Sequence, residues 1–224
     1  MTLSALSEEI TQCKRCSRLV NYIADIKEKY PNYWCKPVPG FGDENAEILI
    51  VGLAPGRFGA NRTGRMFTGD SSGDFMYPIL FEAGLCSQPT STSIDDGLKL
   101  KNCYITAMGR CAPPQNKPTK EELTNCFHFF EEEINYLTNL KIVICLGKIA
   151  FNGYLNSVEH KVDSVQKFNK KSFKFTHGAV YDKNLPHILI ASYHPSRQNT
   201  QTGRLTKEMF KNVFEKANLA LCKV

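Results

Sequence analysis

Two side chains that follow apolar runs could carry hydrolytic chemistry. Asp70 ends a glycine-rich segment that begins after the apolar residues 46–52, and His194 follows the apolar residues 187–192. A carboxylate can position or deprotonate a water molecule, and an imidazole N–H can stabilise a developing anion. A single histidine is more often structural than catalytic. Its place at the end of a predicted strand, before a proline and a polar loop, favours a catalytic role here.

The segment between Gly52 and Asp70 has the composition of a ligand-binding loop. Its glycines allow the backbone to approach a ligand closely, and it carries Arg57, Arg62 and Arg65. A loop of this length and composition is usually functional, and a solvated connector is the alternative. A nucleotide phosphate loop is disfavoured because the pattern G-x-x-x-x-G-K-S/T is absent.

The cysteines form a second candidate site. The chain has nine of them and no secretory signal, which favours metal ligands or buried thiols over a disulfide framework. Cys13 and Cys16 form a C-x-x-C motif, Cys111 follows a predicted strand, and Cys126 lies in a predicted helix. Four thiolates can hold a zinc ion or a [4Fe–4S] cluster, and their spacing does not separate the two. Burial as free thiols is the alternative for Cys111 and Cys126.

Four nearly continuous apolar runs predict strands that are covered on both faces. They lie at residues 46–52, 102–108, 141–146 and 187–192. Helical patterns precede, separate and follow them at residues 3–18, 74–82, 119–139, 148–155 and 206–221. This alternation predicts an α/β protein, a three-layer α/β/α sandwich with a central, mostly parallel sheet of about four strands. Ligands bind beyond the carboxyl ends of such strands, so Asp70 and His194 are expected at one edge.

Residues 1–224 are expected to form a single domain with a basic insertion around residues 158–185. Residues 88–99 are polar and predict an exposed loop. Within the insertion, charged and apolar residues alternate over residues 166–175, which indicates a hairpin strand. Either a solvated hairpin or a contact with a nucleic-acid backbone would suit this pattern.

Charge and hydropathy exclude several classes of protein. The net charge is +6, which is compatible with a polyanionic partner. A hydrophobic fraction of 42% is ordinary for a globular protein and excludes a disordered chain, a coiled coil or a collagen-like repeat. Apolar runs stay far below the roughly 18 residues that a membrane span needs. The first residues show no leader pattern, so a cytoplasmic protein without a membrane partner is expected.

Several of these segments together resemble the uracil-DNA glycosylase superfamily, and more narrowly its family 5, the UDGb-type iron–sulfur enzymes of archaea and some bacteria. The resemblance spans residues 13–206 and rests on four motifs: G-L-A-P-G from residue 52, G-x-N-R-T-G-R-x-F-T-G-D from residue 59, R-C-A-P-P-x-N-K-P from residue 110 and H-P-S-R-Q-N-T-Q-T-G-R-L-T from residue 194. The combination is highly specific.

The resemblance implies a monofunctional DNA repair glycosylase. Such an enzyme flips a deaminated base out of double-stranded DNA, hydrolyses its N-glycosidic bond and leaves an abasic site. Uracil is the expected substrate, and family 5 is associated with a broader range that includes hypoxanthine. The protein is expected to act as a monomer beside the chromosome, in the interior of a prokaryotic cell. A non-catalytic nucleic-acid-binding protein with a structural metal cluster is the alternative.

The resemblance also implies roles for individual residues. A [4Fe–4S] cluster is expected on Cys13 and Cys16 of the first helix, together with Cys111 and Cys126. The candidate catalytic residues are Asp70, His194 and Asn116. For Asn116 the alternative is a structural role as a turn residue. The residues expected to bind substrate are Gly52, Ala54, Arg62, Arg65, Phe67, Ser196, Arg197 and Arg204. Phe67 would stack on the extruded base, and the arginines and Ser196 would contact phosphates.

Two positions depart from the sister family 4 and predict a looser selectivity for uracil. That family carries a glutamate where this chain has Leu53. It also has a base-reading asparagine where this chain has Ala107, after Thr106.

Overall fold

A six-stranded mixed sheet forms the centre of the fold. The computed structural model describes residues 2–161 and 168–223. The strands are β1 (Phe41–Gly42), β2 (Ile48–Gly52), β3 (Cys103–Ala107), β4 (Ile142–Leu146), β5 (Val180–Tyr181) and β6 (Ile188–Ser192). Their order across the sheet is β1-β3-β2-β4-β6-β5. The inner four strands are parallel and match the predicted runs. Of the two short antiparallel edge strands, β1 was not predicted, whereas β5 lies within the predicted hairpin.

The sheet is buried on both faces. Every residue of β2, β3 and β4 is buried. Successive side chains of a strand point to opposite faces, so Ile48 and Ile50 join one apolar cluster, whereas Leu49 and Val51 join another. Burial of this kind is typical of parallel sheets that helices cover on both sides. The predicted three-layer α/β/α sandwich is therefore confirmed.

Helices form the two outer layers. They are α1 (Leu3–Gln12), α2 (Ser17–Lys29), α3 (Ala60–Thr63), α4 (Ser71–Glu82), α5 (Lys120–Tyr136), α6 (Lys148–Lys161), α7 (Arg197–Gln201) and α8 (Lys207–Leu221), with short 3-10 helices at Pro114–Asn116 and Lys170–Ser172. Met76 of α4 and Phe210 of α8 pack in one apolar cluster, and Phe130 of α5 and Phe151 of α6 pack in the other. Within residues 2–161 and 168–223, none of the helices has the length and hydropathy needed to cross a bilayer.

The chain around Cys13 differs from the prediction of one helix over residues 3–18. Helix α1 ends at Gln12 and α2 begins at Ser17, so Cys13 and Cys16 lie in the connection between two helices. Both cysteines have extended backbone, Cys13 as the C-cap of α1 and Cys16 as the N-cap of α2. Buried apolar residues continue through both helices, so their periodicity did not reveal the break. The connection places both thiols outside helical geometry.

The predicted insertion at residues 158–185 is only in part a hairpin. Its first residues extend α6 to Lys161, and residues 162–167 lie outside the described residues. The charged strand predicted over residues 166–175 is wrong for its described part, because Lys170–Ser172 form a 3-10 turn. The turn brings the rings of Phe168 and Phe173 into a stack 5.6 Å apart, against an apolar cluster. The hairpin prediction holds for β5, which pairs antiparallel with β6.

A buried ion pair attaches the glycine-rich segment to the loop at residues 88–99. Arg65 Nη2 lies 2.6 Å from Asp96 Oδ2, and these side chains are only 5% and 9% exposed. The same guanidinium donates to Ser91 Oγ at 2.7 Å and to Thr68 Oγ1 at 3.0 Å. Arg65 is therefore a structural residue of the loop, contrary to the prediction that it contacts phosphate. Its N–H groups donate to acceptors inside the protein.

Replacing Asp96 by asparagine leaves the buried Arg65 without its counter-charge. We expect the free energy of unfolding at pH 7 to fall by about 3–5 kcal/mol. Chemical denaturation measures the loss. The control is Glu82→Gln, which breaks an exposed pair with Lys211 and should cost less than about 1 kcal/mol. Equal losses in the two variants would contradict a dominant role for the buried pair.

The same pair has a defined pH dependence. Burial disfavours the charge of Asp96, yet hydrogen bonds from Arg65 and from backbone N–H groups outweigh it and hold the pKa of Asp96 below its usual range. This contribution to stability is therefore present above about pH 4, and it is lost as the pH falls toward the lowered pKa.

Candidate active site

The carboxyl ends of the parallel strands form the edge of the sheet where the candidate residues collect. Gly52 ends β2 and pairs with Ala107 of β3. Asp70 follows β2 through the glycine-rich segment, and His194 follows β6. Phe67, three residues before Asp70, connects the two segments because its ring centroid lies 5.7 Å from that of His194. The structure thus brings together two segments that are remote in the chain, as the strand order predicts.

Asp70 is the N-cap of α4. Its Oδ1 accepts hydrogen bonds from the backbone N–H groups of Ser72 at 3.0 Å and Gly73 at 3.2 Å. Among the described residues, no further donor binds this carboxylate. One oxygen therefore anchors the side chain to the positive end of a helix dipole. The other oxygen, Oδ2, accepts no hydrogen bond from the described residues.

The environment of Asp70 makes its carboxylate a better proton acceptor. Burial raises the pKa of Asp70, and the negative charge of Asp74 adds to this effect. The hydrogen bonds from Gly73 and Ser72 and the charge of Arg62 act in the opposite direction. A carboxylate with a raised pKa accepts a proton more readily near neutral pH.

Two glycines allow the loop after β2 to close over Asp70. A Cβ atom added to Gly59 would lie 1.9 Å from Asp70 Oδ2, and one added to Gly56 would lie 3.0 Å from it. Only a residue without a side chain fits at the first of these separations. The glycines of this loop are therefore explained by the close approach of the backbone to the carboxylate.

Phe67 belongs both to the core and to the candidate site. A Cβ atom on Gly52 would lie 2.9 Å from the Phe67 ring, and one on Gly73 would lie 1.8 Å from its carbonyl oxygen. The residue is 8% exposed and has a φ of +53°. A left-handed backbone at a bulky residue is uncommon and persists only where the surroundings enforce it. Gly52 and Gly73 provide that enforcement and direct the ring toward His194.

His194 is a neutral donor at physiological pH. Burial lowers the pKa of His194 to about 4, so its ring keeps a single N–H group and no charge. Its backbone oxygen accepts a hydrogen bond from Asn199 Nδ2 of α7 at 2.8 Å, which ties the His194 loop to that helix. No hydrogen bond to the ring occurs within the described part of the chain. The ring is therefore free to bind a substrate atom.

The remaining arginine candidates differ in what they can contact. Arg197 and Arg204 are exposed, and the Arg204 guanidinium lies 4.6 Å over the ring of Tyr193. Ser196 is the N-cap of α7. Arg62 is half-buried and donates to backbone oxygens of Phe58 and Gly69 at 2.8 and 2.7 Å. Arg197 and Arg204 are thus available to a phosphate, whereas Arg62 mainly braces the loop.

Asn116 and Ala54 lie at the margin of this group. Asn116 is exposed at the end of the Pro114–Asn116 turn, with a φ of +56° that asparagine tolerates. No hydrogen bond among the described residues joins its side chain to Asp70 or His194. Ala54 lies next to the end of β3, where a Cβ atom on Gly109 would be 3.3 Å away. The structure therefore leaves the catalytic assignment of Asn116 a prediction.

Four cysteines line one cavity away from the carboxylate. Its walls include Cys13, Cys16, Cys111 and Cys126, together with Arg15 and Arg110. Burial raises the pKa of Cys111, and the three other thiols add to this increase through their proximity. The remaining five cysteines do not line this cavity. The structure thus gathers the four thiols that the sequence singles out.

The donor set of this cavity fits a metal centre held by sulfur. All four candidate thiols line the same cavity, and four thiolates can hold a zinc ion or a [4Fe–4S] cluster. The chemistry of the donors is therefore compatible with the cluster that the resemblance implies.

A buried polar network beside this cavity was not predicted from the sequence. Arg110 and Glu133 are each 1% exposed and are joined by an N–O distance of 2.7 Å. Thr106 Oγ1 donates to Glu133 Oε2 at 2.5 Å and accepts from Arg110. The only signal was the place of Arg110 beside Cys111, since Glu133 is one of several acidic residues in a helical pattern.

Comparison with known proteins identifies relatives over nearly the whole chain. The family model described as the uracil DNA glycosylase superfamily matches residues 39–218. The type-5 uracil-DNA glycosylase of Thermus thermophilus is 47% identical over 222 residues, which cover 97% of each chain. That of Pyrobaculum aerophilum is 40% identical over 212 residues, which cover 93% of this chain and 88% of the relative. The type-4 uracil-DNA glycosylase of Archaeoglobus fulgidus is 28% identical over 196 residues, which cover 87% and 82%.

A double-mutant cycle tests the contact between Gly59 and Asp70. Gly59→Ala is expected to lower the free energy of unfolding by about 1–3 kcal/mol, because the new methyl group overlaps the carboxylate. In an Asp70→Gly background the same change should cost much less, since the overlapping atoms are gone. Chemical denaturation of the four proteins gives the coupling energy. Gly84→Ala meets no atom within 4 Å and should cost the same in both backgrounds, whereas additive effects of Gly59→Ala and Asp70→Gly would contradict the contact.

Proposed function

The chain belongs to the uracil DNA glycosylase superfamily, and from that premise we propose that it excises uracil from DNA by hydrolysing the N-glycosidic bond. The product is an abasic site. The observation that carries the proposal is a pair of side chains at one edge of the sheet. Asp70 offers a free carboxylate oxygen, His194 offers a neutral ring, and Phe67 connects them.

Access to the bond requires extrusion of the nucleotide from the duplex. The exposed Arg197 and Arg204 and the hydroxyl group of Ser196 hold the phosphates on either side of the extruded nucleotide. Phe67 provides a face on which the base stacks, an interaction worth about 1–3 kcal/mol per base in single-strand binding. Gly52 has no side chain and Ala54 only a methyl group, so the backbone can approach that base closely.

Cleavage separates C1′ of the sugar from N1 of uracil, and the electron pair of the bond leaves with the base. Positive charge develops on the sugar and is stabilised by the Asp70 carboxylate. A water molecule held by Oδ2 adds to C1′ and passes a proton to the carboxylate. The N–H group of His194 stabilises the negative charge on uracil O2, and solvent then protonates the released base.

The substrate range is proposed to extend to other deaminated bases, including hypoxanthine. Two observations support a permissive pocket. Leu53 offers no polar atom to a base, and Ala107, at the end of β3, is buried without a polar side chain. The hydroxyl group of Thr106 is engaged by Arg110 and Glu133, so it cannot replace a base-reading amide.

A [4Fe–4S] cluster is proposed on Cys13, Cys16, Cys111 and Cys126. Bound there, it supplies a rigid cross-link, since hydrolysis of a glycosidic bond needs no electron. Cys13 and Cys16 belong to the connection between α1 and α2, whereas Cys126 belongs to α5. The cross-link holds the segment that begins at Cys111 and leads to Asn116. Asn116 is proposed to hold a base edge or a water molecule once DNA is bound.

The proposed partner is double-stranded DNA that contains a deaminated base, bound by a monomer. The net charge of +6 supports attraction to the phosphate backbone. A chromosomal substrate implies that the enzyme works in the interior of the cell. A non-catalytic DNA-binding protein with a structural cluster is the alternative. Release of uracil from a labelled duplex, detected by cleavage at the abasic site, separates the two.

Asp70→Asn is expected to lower the single-turnover rate of uracil release by about 10²–10⁴-fold, and His194→Gln by about 10²–10³-fold. Asp74→Asn changes the neighbouring exposed carboxylate of α4 and should leave the rate within about twofold, which makes it a control for local charge. Full rates in both site variants would refute the assignment. The rate should fall on the acid side with the raised pKa of Asp70, and this limb should vanish in Asp70→Asn.

Cys126→Ser is expected to remove most of the iron and inorganic sulfide and to lower the melting temperature and DNA affinity together. The control is Cys222→Ser, an exposed cysteine at the end of α8 that should change none of these. Iron analysis, thermal unfolding and binding to a uracil duplex provide the three measurements. An iron-free protein that folds, binds and cleaves at the normal rate would contradict the structural role.

A further inference from the structure

Arg110 holds a buried nitrogen atom without an acceptor. Its Nε atom has no hydrogen-bond partner among residues 2–161 and 168–223. The other two guanidinium nitrogens both have acceptors. Nη1 donates to Thr106 Oγ1 at 2.5 Å and to Glu133 Oε1 at 3.0 Å, and Nη2 donates to Glu133 Oε2 at 2.7 Å. A buried donor without an acceptor is destabilising, so its persistence points to an acceptor that binds at this place.

The residue that carries this nitrogen also lines the cysteine cavity. Arg110 is part of the cavity wall together with all four candidate ligands. Glu133 and Thr106 bind the far nitrogens of the guanidinium and fix its plane. Arginine suits this arrangement because its planar group can bind a carboxylate with two nitrogens and keep a third N–H for another partner.

We infer that Arg110 is a positioning residue for the proposed [4Fe–4S] cluster, and that its Nε–H donates a hydrogen bond to a sulfur atom of the cluster or of its ligands. The inference rests on the cluster proposed above. Sulfur atoms of such clusters carry much of their negative charge, and hydrogen bonds to them control stability and potential. The guanidinium also links the cluster to β3 through Thr106 and to α5 through Glu133.

The decisive comparison is between Arg110→Lys and Arg15→Lys. Both arginines line the cavity, but the Arg15 side chain is 50% exposed and bonds to His128. Lysine keeps the charge at position 110 and removes the Nε donor. We expect Arg110→Lys to lose its cluster absorbance to a chelator about 10-fold faster or more. Its iron–sulfur stretching bands in the resonance Raman spectrum should move to higher frequency. Arg15→Lys should match the unaltered protein in both measurements.

A separate variant distinguishes a cluster effect from loss of fold stability. Thr106→Val removes one acceptor of Nη1 and leaves Nε in place. It should lower the melting temperature and leave the Raman bands unchanged. If Arg110→Lys does not fold, NMR spectra of the unaltered protein with ¹⁵N-labelled arginine test the role of Arg110 instead. In addition to the Nε–H resonance of Arg15, one further Nε–H resonance should be shifted or broadened by the cluster. It should return to its normal position after iron is removed.

The possible failures are distinguishable. Anaerobically prepared protein without iron and inorganic sulfide would refute the cluster itself. A loaded protein whose Arg110→Lys variant has normal Raman bands and a normal rate of cluster loss would refute only the role of Arg110. The same holds if no arginine resonance beyond that of Arg15 responds to the cluster.

Discussion

Burial of the parallel strands on both faces is the constraint from which the rest of the molecule follows. Every residue of β2, β3 and β4 is buried, so polar chemistry can occur only where the strands end. Parallel strands end at one edge, and this edge receives the segments that carry Asp70 and His194. One of the helices that cover the faces, α4, has Asp70 as its N-cap, so its dipole stabilises the Asp70 carboxylate.

The site depends on close backbone approach as much as on reactive side chains. Gly59 brings the loop after β2 against the Asp70 carboxylate, and Gly73 brings the first turn of α4 against the backbone of Phe67. One oxygen of Asp70 caps the helix, and the other accepts no hydrogen bond from the described residues. The capping bonds and the candidate catalytic carboxylate are therefore one structural unit, and the buried pair of Arg65 and Asp96 ties the segment to the loop at residues 88–99.

The cysteine cavity and the edge of the sheet that carries the candidate active site are connected through a small polar core. Thr106 lies on β3 one residue before the strand ends, Glu133 lies on α5, and Arg110 reaches the cavity from the segment after β3. Their hydrogen bonds join sheet, helix and cavity wall within a few ångströms. A cluster held by the four thiols would therefore stabilise the same strand end that forms one side of the site. This connection is a physical reason for the proposed cluster in a protein whose proposed reaction needs no electron.

The sequence by itself determined the parallel strands, most helices and the motifs that mark the site, because these depend on local periodicity and turn chemistry. Tertiary structure alone decided three things. The helix predicted over residues 3–18 breaks at the two cysteines although its apolar periodicity continues, since their place at the cavity fixes an extended backbone. Arg65 turns inward because Asp96 and Ser91, distant in the chain, supply its acceptors. The pairing of Arg110 with Glu133 could not be foreseen, because the partner of a buried charge is set by packing between elements and not by spacing along the chain.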